Sequence, residues 1–389
     1  MRQRDRMAAP AAPAPSADSS AGPSSPLSRF TDSWFAHSWF TRPPARLWRC
    51  DPAPADVAGF HAMLPGYAPT PLVEVPALAA ELGADRVFVK DESRRMGLPA
   101  FKILGAAWGV RRAIRAHGRP ERLVAATDGN HGRAVARIAR LLGLPARVLV
   151  PEHVPAAARA AIAAEDAEVV VVRGSYDAAV RRAAAEPGLL VQDTAWPGYE
   201  EIPGWIVEGY STLFREVDAQ LAAAGAAPAG LVAVPMGVGS LAQAAVVHYR
   251  SGGSAPTLLG VEPDTAASVL TSLIADRLTT VPDGDTVMAG LNCPTPSTLA
   301  WPVLRAGLDA AVAVPDAAAL RAARDLAGHG VPAGPCGAAA LAGVRAALTP
   351  TRRPSLSPAH TGTVVLLSTE GVTGPPARAE RGPRPSSAG

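Results

Sequence analysis

Short, continuously apolar runs alternate with Ala-rich helical stretches across glycine turns, and this repeat restricts the possible folds more than any other feature of the chain. Arg122-Leu-Val-Ala-Ala-Thr127 reads as a buried strand, Asp128-Gly-Asn-His-Gly132 as a tight turn, and the next stretch as a helix that stops at Gly143. Strands at Val148–Val150, Val169–Val172 and Leu189–Val191 then alternate with helices at Ala156–Ala164 and Tyr176–Ala185. The pattern restarts at Leu231-Val-Ala-Val-Pro-Met236. That strand ends in Gly237-Val-Gly-Ser-Leu241 and leads into a helix through His248. Leu258–Val261 and Val364–Leu367 are further strands, the latter closed by Ser368-Thr-Glu-Gly371. Strands that are apolar on both faces and separated by helices imply a parallel sheet covered on both sides. Ligand-binding loops then lie at the carboxyl ends of its strands.

A chain of 389 residues buries a large core, and two domains are expected. Residues 1–28 are rich in Ala, Pro and Ser, and residues 373–389 in Pro, Arg and Ser, so both are expected to be disordered tails. Between them, Phe30, Trp34, Phe35, Trp39, Phe40 and Trp48 suggest an arm packed on the domain, and Tyr67-Ala-Pro-Thr-Pro-Leu72 an extended segment. A helix is expected from about Trp205 to Ala224, and another near Thr298 that Ser297 would cap. A net charge of +3 with no basic stripe implies no nucleic acid. Cys50, Cys293 and Cys336 are far apart, and the eight histidines form no HxxxH or HExxH pattern, so no metal is expected. The amino terminus lacks the apolar core of a secretory signal, and no apolar run reaches membrane-spanning length. With cysteines suited to a reducing compartment, the expected location is the cytoplasm.

Chemistry centres on Lys90 to Gly105. Arg86–Lys90 reads as a strand, and a polar loop follows. Past Pro99 a helix opens near Phe101 and runs to Ala116, which puts Lys102 at its positive end. There the helix dipole and the apolar Phe101 are both expected to favour a neutral, nucleophilic amine, although the position also suits a solvated charge. Gly237-Val-Gly-Ser-Leu241 is a loop whose backbone N–H groups are able to cradle a phosphate, or else a plain connection between strand and helix. Asp128 is either an acid/base group or the side chain of an Asx turn, and His131 is placed equally well facing solvent at the helix start.

Six motifs in one order carry a resemblance over about Phe30 to Thr373: DES…AFK, ATDGNHG, QDTAWPGYEEIP, GVGS, MAGLNCPTPSTLAWP and STEG. Together they resemble the diaminopropionate ammonia-lyases, pyridoxal-phosphate enzymes of fold type II. The resemblance implies two open, mostly parallel sheets flanked by helices, with the cofactor between the domains. It also implies a large domain over 29–104 and 191–372, with a small α/β domain over 105–190 inserted in it. By the same resemblance Lys102 holds pyridoxal 5'-phosphate as a Schiff base beside Phe101, and Asn130 bonds its 3-hydroxyl. Gly237, Val238, Gly239, Ser240 and Leu241 bind its phosphate. Ser368, with Thr369 as the nearby alternative, meets its pyridine nitrogen. Asp128 and Asp193 are the implied pair of catalytic carboxylates, on opposite faces of the ring, each removing the Cα proton of one enantiomer.

The implied reaction is α,β-elimination of the small amino acid 2,3-diaminopropionate to pyruvate and two ammonia, by an enzyme expected to be a homodimer. Two other readings remain open. One is a serine or threonine ammonia-lyase or β-substituting synthase of the same fold, and the other a non-catalytic α/β binding protein. One departure bears on the substrate. Where the family has Ser-Gly-Glu-Ser-Gly-Ala, this chain has Ala333-Gly-Pro-Cys-Gly-Ala338, which lacks a carboxylate and two hydroxyls. Cys293 is followed by proline where glycine is usual.

Overall fold

The structure is a computed structural model that describes residues 38–372 apart from 128, 253–254, 283 and 357–361. Both expected tails, Asp128 and the aromatics Phe30, Trp34 and Phe35 therefore lie outside the described residues. In chain order the first elements are β1 (Trp39–Thr41), α1 (Val57–Ala62), β2 (Leu72–Glu74), α2 (Pro76–Leu82), β3 (Arg86–Asp91) and α3 (Lys102–His117). Next come β4 (Leu123–Ala126), α4 (Asn130–Leu142), β5 (Ala146–Pro151), α5 (Ala156–Ala163), β6 (Ala167–Val172), α6 (Tyr176–Ala184) and β7 (Leu189–Leu190). The chain continues through α7 (Glu201–Ala223), β8 (Ala229–Pro235), α8 (Ser240–Ser251), β9 (Thr257–Pro263) and α9 (Ser268–Ala275). It ends with α10 (Ala300–Gly307), β10 (Ala310–Val314), α11 (Asp316–Gly328), α12 (Pro335–Ala347) and β11 (Thr363–Ser368).

Two sheets result, as the alternation and the resemblance require. A seven-stranded sheet has the order β1-β10-β9-β8-β11-β3-β2, and a four-stranded sheet the order β6-β5-β4-β7. All pairs are parallel except those at the edges of the larger sheet, where β1 runs antiparallel to β10 and β2 to β3. The aromatic arm thus contributes its Trp39 and Phe40 to an edge strand, and Trp48 packs on the core. Strands β4, β8, β9 and β11 are buried almost throughout, which fits their unbroken apolar runs.

Two boundaries differ from expectation. Helix α7 begins at Glu201, before Trp205, because Pro203 lies within its first turn, where a missing N–H costs no intrahelical bond. Helix α10 begins at Ala300, and Ser297 does not cap it. The Ser297 hydroxyl instead accepts from the Ala195 N–H at 3.1 Å, tying the 192–200 loop to the 294–299 segment.

Helix α3 carries Lys102 and packs against α7 at close range. A Cβ on Gly105 would lie 2.5 Å from the Tyr210 ring, and one on Gly209 2.7 Å from the Leu104 carbonyl oxygen, so the two backbones approach only because glycine faces each contact.

The loop that delivers Lys102 is anchored by a buried charge network. Glu216 of α7 accepts from Lys90 Nζ at 2.7 Å, from Arg95 Nη1 at 2.7 Å and from Tyr67 Oη at 2.8 Å. Glu92 takes two further bonds from Arg95, at 2.7 and 2.8 Å. Lys90, Glu92 and Arg95 are all fully buried. Removing one partner of such a group leaves uncompensated charge in a low dielectric. Glu216→Ala is therefore expected to destabilise the fold by about 3–5 kcal/mol. Urea unfolding monitored by tryptophan fluorescence checks this, and a loss below about 1 kcal/mol would show that Glu92 alone carries both cations.

Candidate active site

The site forms where loops leave the carboxyl ends of β8, β11 and β4 and meet the start of α3, which is where parallel sheets place ligands. These loops enclose a cavity of about 500 Å³ whose lining includes Lys102, Asn130, His131, Asp193, Gly237 and Glu370. Among the described residues no group of three or more His, Cys, Asp or Glu side chains is placed to hold a metal ion.

Lys102 is the first residue of α3, and its Nζ lies 2.6 Å from Asp193 Oδ2. Its charge state departs from expectation. Burial alone would lower the ammonium pKa, but the Asp193 carboxylate more than offsets this and raises it above its ordinary value. Phe101 works in the same direction as Asp193. Its ring centroid lies 5.1 Å from Nζ, so the π face supports the cation that its bulk desolvates. This arrangement favours the ammonium form of Lys102, and a sequence argument based on the dipole and Phe101 missed the carboxylate that arrives from 91 residues away.

Asp193 is buried, which disfavours its charge, yet the positive charges of His131, protonated in the acid range where Asp193 titrates, and of Lys102 hold its pKa down to about 2. Its loop is fixed at several points. Ser240 Oγ donates to the Asp193 carbonyl oxygen at 2.7 Å, and Gln192 Oε1 accepts from the Ala126 N–H at 3.0 Å. The Ser240 hydroxyl is thus committed to Asp193, which leaves its backbone N–H for a ligand. His131 does not face solvent. It is 4 % exposed, and its Nε2 lies 2.8 Å from the Val191 carbonyl oxygen.

Asn130 opens α4, and its Nδ2 donates to Glu370 Oε2 at 2.7 Å. Glu370 was not singled out from the sequence, although it stands in the same Ser368-Thr-Glu-Gly371 turn. It is buried, burial raises its pKa, and its Oε1 accepts from the Cys336 N–H at 3.3 Å. A carboxylate therefore borders the stretch that departs from the family pattern, whose Pro335 and Cys336 line the cavity.

The residues present fit a phosphorylated pyridine ring on three observations. Gly237, Val238 and Gly239 precede α8, and their N–H groups meet no protein acceptor among the described residues. Gly239 adopts φ +96°, open to glycine and strained for other residues, and this turns the loop into the helix start. Ser368, at the end of β11, is fully buried with an Oγ that has no hydrogen-bond partner among the described residues. A Cβ on Gly337 would sit 2.9 Å from that oxygen, so glycine is needed there. Thr369, the alternative partner, lines the cavity directly. The structure thus gathers Lys102, Phe101, Asp193, Asn130, Gly237, Val238, Gly239, Ser240 and Leu241 about one cavity, with Ser368 buried next to Thr369 of its wall. Asp128 lies outside the described residues.

A model of the family described as pyridoxal-phosphate dependent enzyme matches residues 63–369. The chain is 36% identical over 299 residues to the diaminopropionate ammonia-lyase of Salmonella typhimurium, covering 69% of this chain and 74% of that protein. Among solved structures it resembles holo diaminopropionate ammonia-lyase from Escherichia coli with TM-score 0.76 and 30% identity, over 86% of this chain and 94% of that one. The same Escherichia coli enzyme in complex with an aminoacrylate-PLP azomethine reaction intermediate matches with TM-score 0.74 and 31% identity, over 86% and 90% of the two chains.

Proposed function

We propose a function on one premise: this chain belongs to the pyridoxal-phosphate dependent enzyme family and, within it, to the diaminopropionate ammonia-lyases. It is a pyridoxal-phosphate-dependent carbon–nitrogen lyase that eliminates the β-amine of 2,3-diaminopropionate, giving pyruvate and two ammonia. When bound, the cofactor supplies an electron-withdrawing ring that disperses the negative charge developing at Cα. The observation that carries the reading is the Lys102–Asp193 pair at 2.6 Å, set in a cavity also lined by Gly237, Val238 and Gly239, whose N–H groups meet no protein acceptor among the described residues.

In this reading Lys102 holds the cofactor through Nζ, and Asn130 meets its ring hydroxyl with the amide atoms that Glu370 leaves unused. The N–H groups of Gly237 to Leu241 hold its phosphate, and Ser368 its ring nitrogen. Lys102 must shed a proton before its amine can attack, and Asp193 Oδ2 is the acceptor in contact. Asp193 becomes a stronger base once Lys102 is neutral, because part of the attraction that depresses its pKa is gone while burial remains. After passing the Lys102 proton to solvent it is suited to take the Cα proton on its own face, with Asp128 serving the other. Buried Met236, Leu291 and Cys336 line the walls and exclude water from the reacting atoms.

The reading extends to a small domain over 105–190 inserted in a large one over 29–104 and 191–372, and to a homodimer in the cytoplasm. Light scattering and cell fractionation test the last two points. The function is tested by measuring pyruvate release side by side from D- and L-2,3-diaminopropionate, serine and threonine. Diaminopropionate is expected to give the highest kcat/KM, and a preference for serine or threonine would overturn the assignment.

A further inference from the structure

His131 is the second residue of α4, buried beside the Lys102–Asp193 pair, and the steps above give it no task. Its Nε2 contacts the Val191 carbonyl oxygen at 2.8 Å. A carbonyl only accepts, so Nε2 carries the hydrogen, and in the neutral ring Nδ1 is a bare lone pair. That nitrogen is buried and has no hydrogen-bond partner among the described residues. It lies 3.7 Å from Asp193 Oδ2, the oxygen that also contacts Lys102. A lone pair facing a carboxylate oxygen is repelled by it, and 3.7 Å is beyond hydrogen-bond range. Put a proton on Asp193 and the repulsion becomes attraction.

We propose that His131 is the proton acceptor behind Asp193: the proton that Asp193 takes from the substrate's Cα passes on to His131 Nδ1. The inference rests on the reading of Asp193 as the base. The Cα–H bond breaks and Asp193 gains the proton at Oδ2. The electron pair left at Cα forms the Cα–Cβ double bond as the β-ammonium departs as neutral ammonia. The Oδ2–H bond then breaks as Nδ1–H forms. The imidazolium is held between the Val191 carbonyl and the restored Asp193 carboxylate, and its proton is lost to solvent through Asp193 after the products leave. No oxidant or other reactant is consumed. Moving the proton one group away from Cα hinders its return and commits the substrate to elimination. The charged groups acting on the ring are Asp193, which favours its protonation, and Lys102, which opposes it. His131 is argued to act through Asp193, so it is a positioning residue.

Two measurements test this. In wild-type holoenzyme carrying 15N-labelled histidine, NMR is expected to show the neutral Nε2–H tautomer of His131 at pH 7.5. In Asp193→Asn the His131 titration should move to lower pH, because the group that favours its protonation is gone. A resting Nδ1–H tautomer, or a titration indifferent to Asp193→Asn, overturns the proposal. The second measurement is Cα hydrogen exchange of D- and L-alanine in D2O. The variant His131→Gln keeps an amide donor for the Val191 carbonyl and removes the basic nitrogen. Exchange of one isomer is expected to slow about 100-fold, with cofactor affinity within about threefold of wild type. Unchanged exchange in His131→Gln together with impaired exchange in Asp193→Asn sinks this inference alone. Unchanged exchange in Asp193→Asn sinks the reading of Asp193 as the base. If His131→Gln does not fold, the wild-type tautomer and its response to Asp193→Asn decide.

Discussion

Lys102→Ala is expected to lower pyruvate release from 2,3-diaminopropionate by about 10⁴-fold or more, because the covalent hold on the cofactor and a proton-transfer group are lost together. The visible absorbance of the holoenzyme should disappear, and borohydride should no longer fix the cofactor to the peptide that contains position 102. A second consequence separates this from simple damage. Asp193 owes part of its low pKa, about 2, to the Lys102 charge, and burial pushes the other way. In Lys102→Ala its pKa should therefore rise, while in Lys102→Arg, which keeps a cation there, it should stay low although activity is lost equally. Activity within tenfold of wild type in either variant, or a borohydride label on another residue, would end the assignment of Lys102.

Asp193→Asn is expected to act on one enantiomer. Loss of the base on one face should cut pyruvate release from that isomer by about 10²–10⁴-fold and leave the other, served by Asp128, within about threefold. Equal losses on both isomers, or none on either, would contradict a two-base site. The substitution also removes the partner of a buried ammonium, so the Lys102 pKa should fall below its usual value, since burial is then the dominant effect. The pH dependence of stability has a definite sign. The folded-state pKa of Asp193 is depressed from 3.8 to about 2, so its contribution is complete above the unfolded value and is lost as pH falls through the folded one. That difference corresponds to about 2 kcal/mol, and Asp193→Asn should remove this part of the acid-induced loss in urea titrations between pH 5 and 2, at about that size.

Much of this was legible in the residues themselves. Unbroken apolar runs such as Leu231 to Met236 have a parallel, doubly covered strand as their natural solution, and glycine turns after them mark the ligand-bearing ends. Misread boundaries have local causes: the helix expected from about Trp205 begins at Glu201, because Pro203 sits where a helix has no hydrogen bond to lose. The errors at the site have a different origin. Glu370, His131 and Ser297 each act through a partner far along the chain, namely Asn130, Asp193 and Ala195.

Local periodicity and turn chemistry therefore determined which segments are strands and helices, that the sheets are parallel, and which loops can face a ligand, because these depend on neighbours within a few residues. Charge and tautomer were decided only in three dimensions. Helix position and Phe101 argue for a neutral amine at Lys102, and they are overruled by a carboxylate delivered from the 192–200 loop to 2.6 Å. The Coulomb energy of two charges depends on their separation in space and on how much water is left between them, and the fold alone sets both.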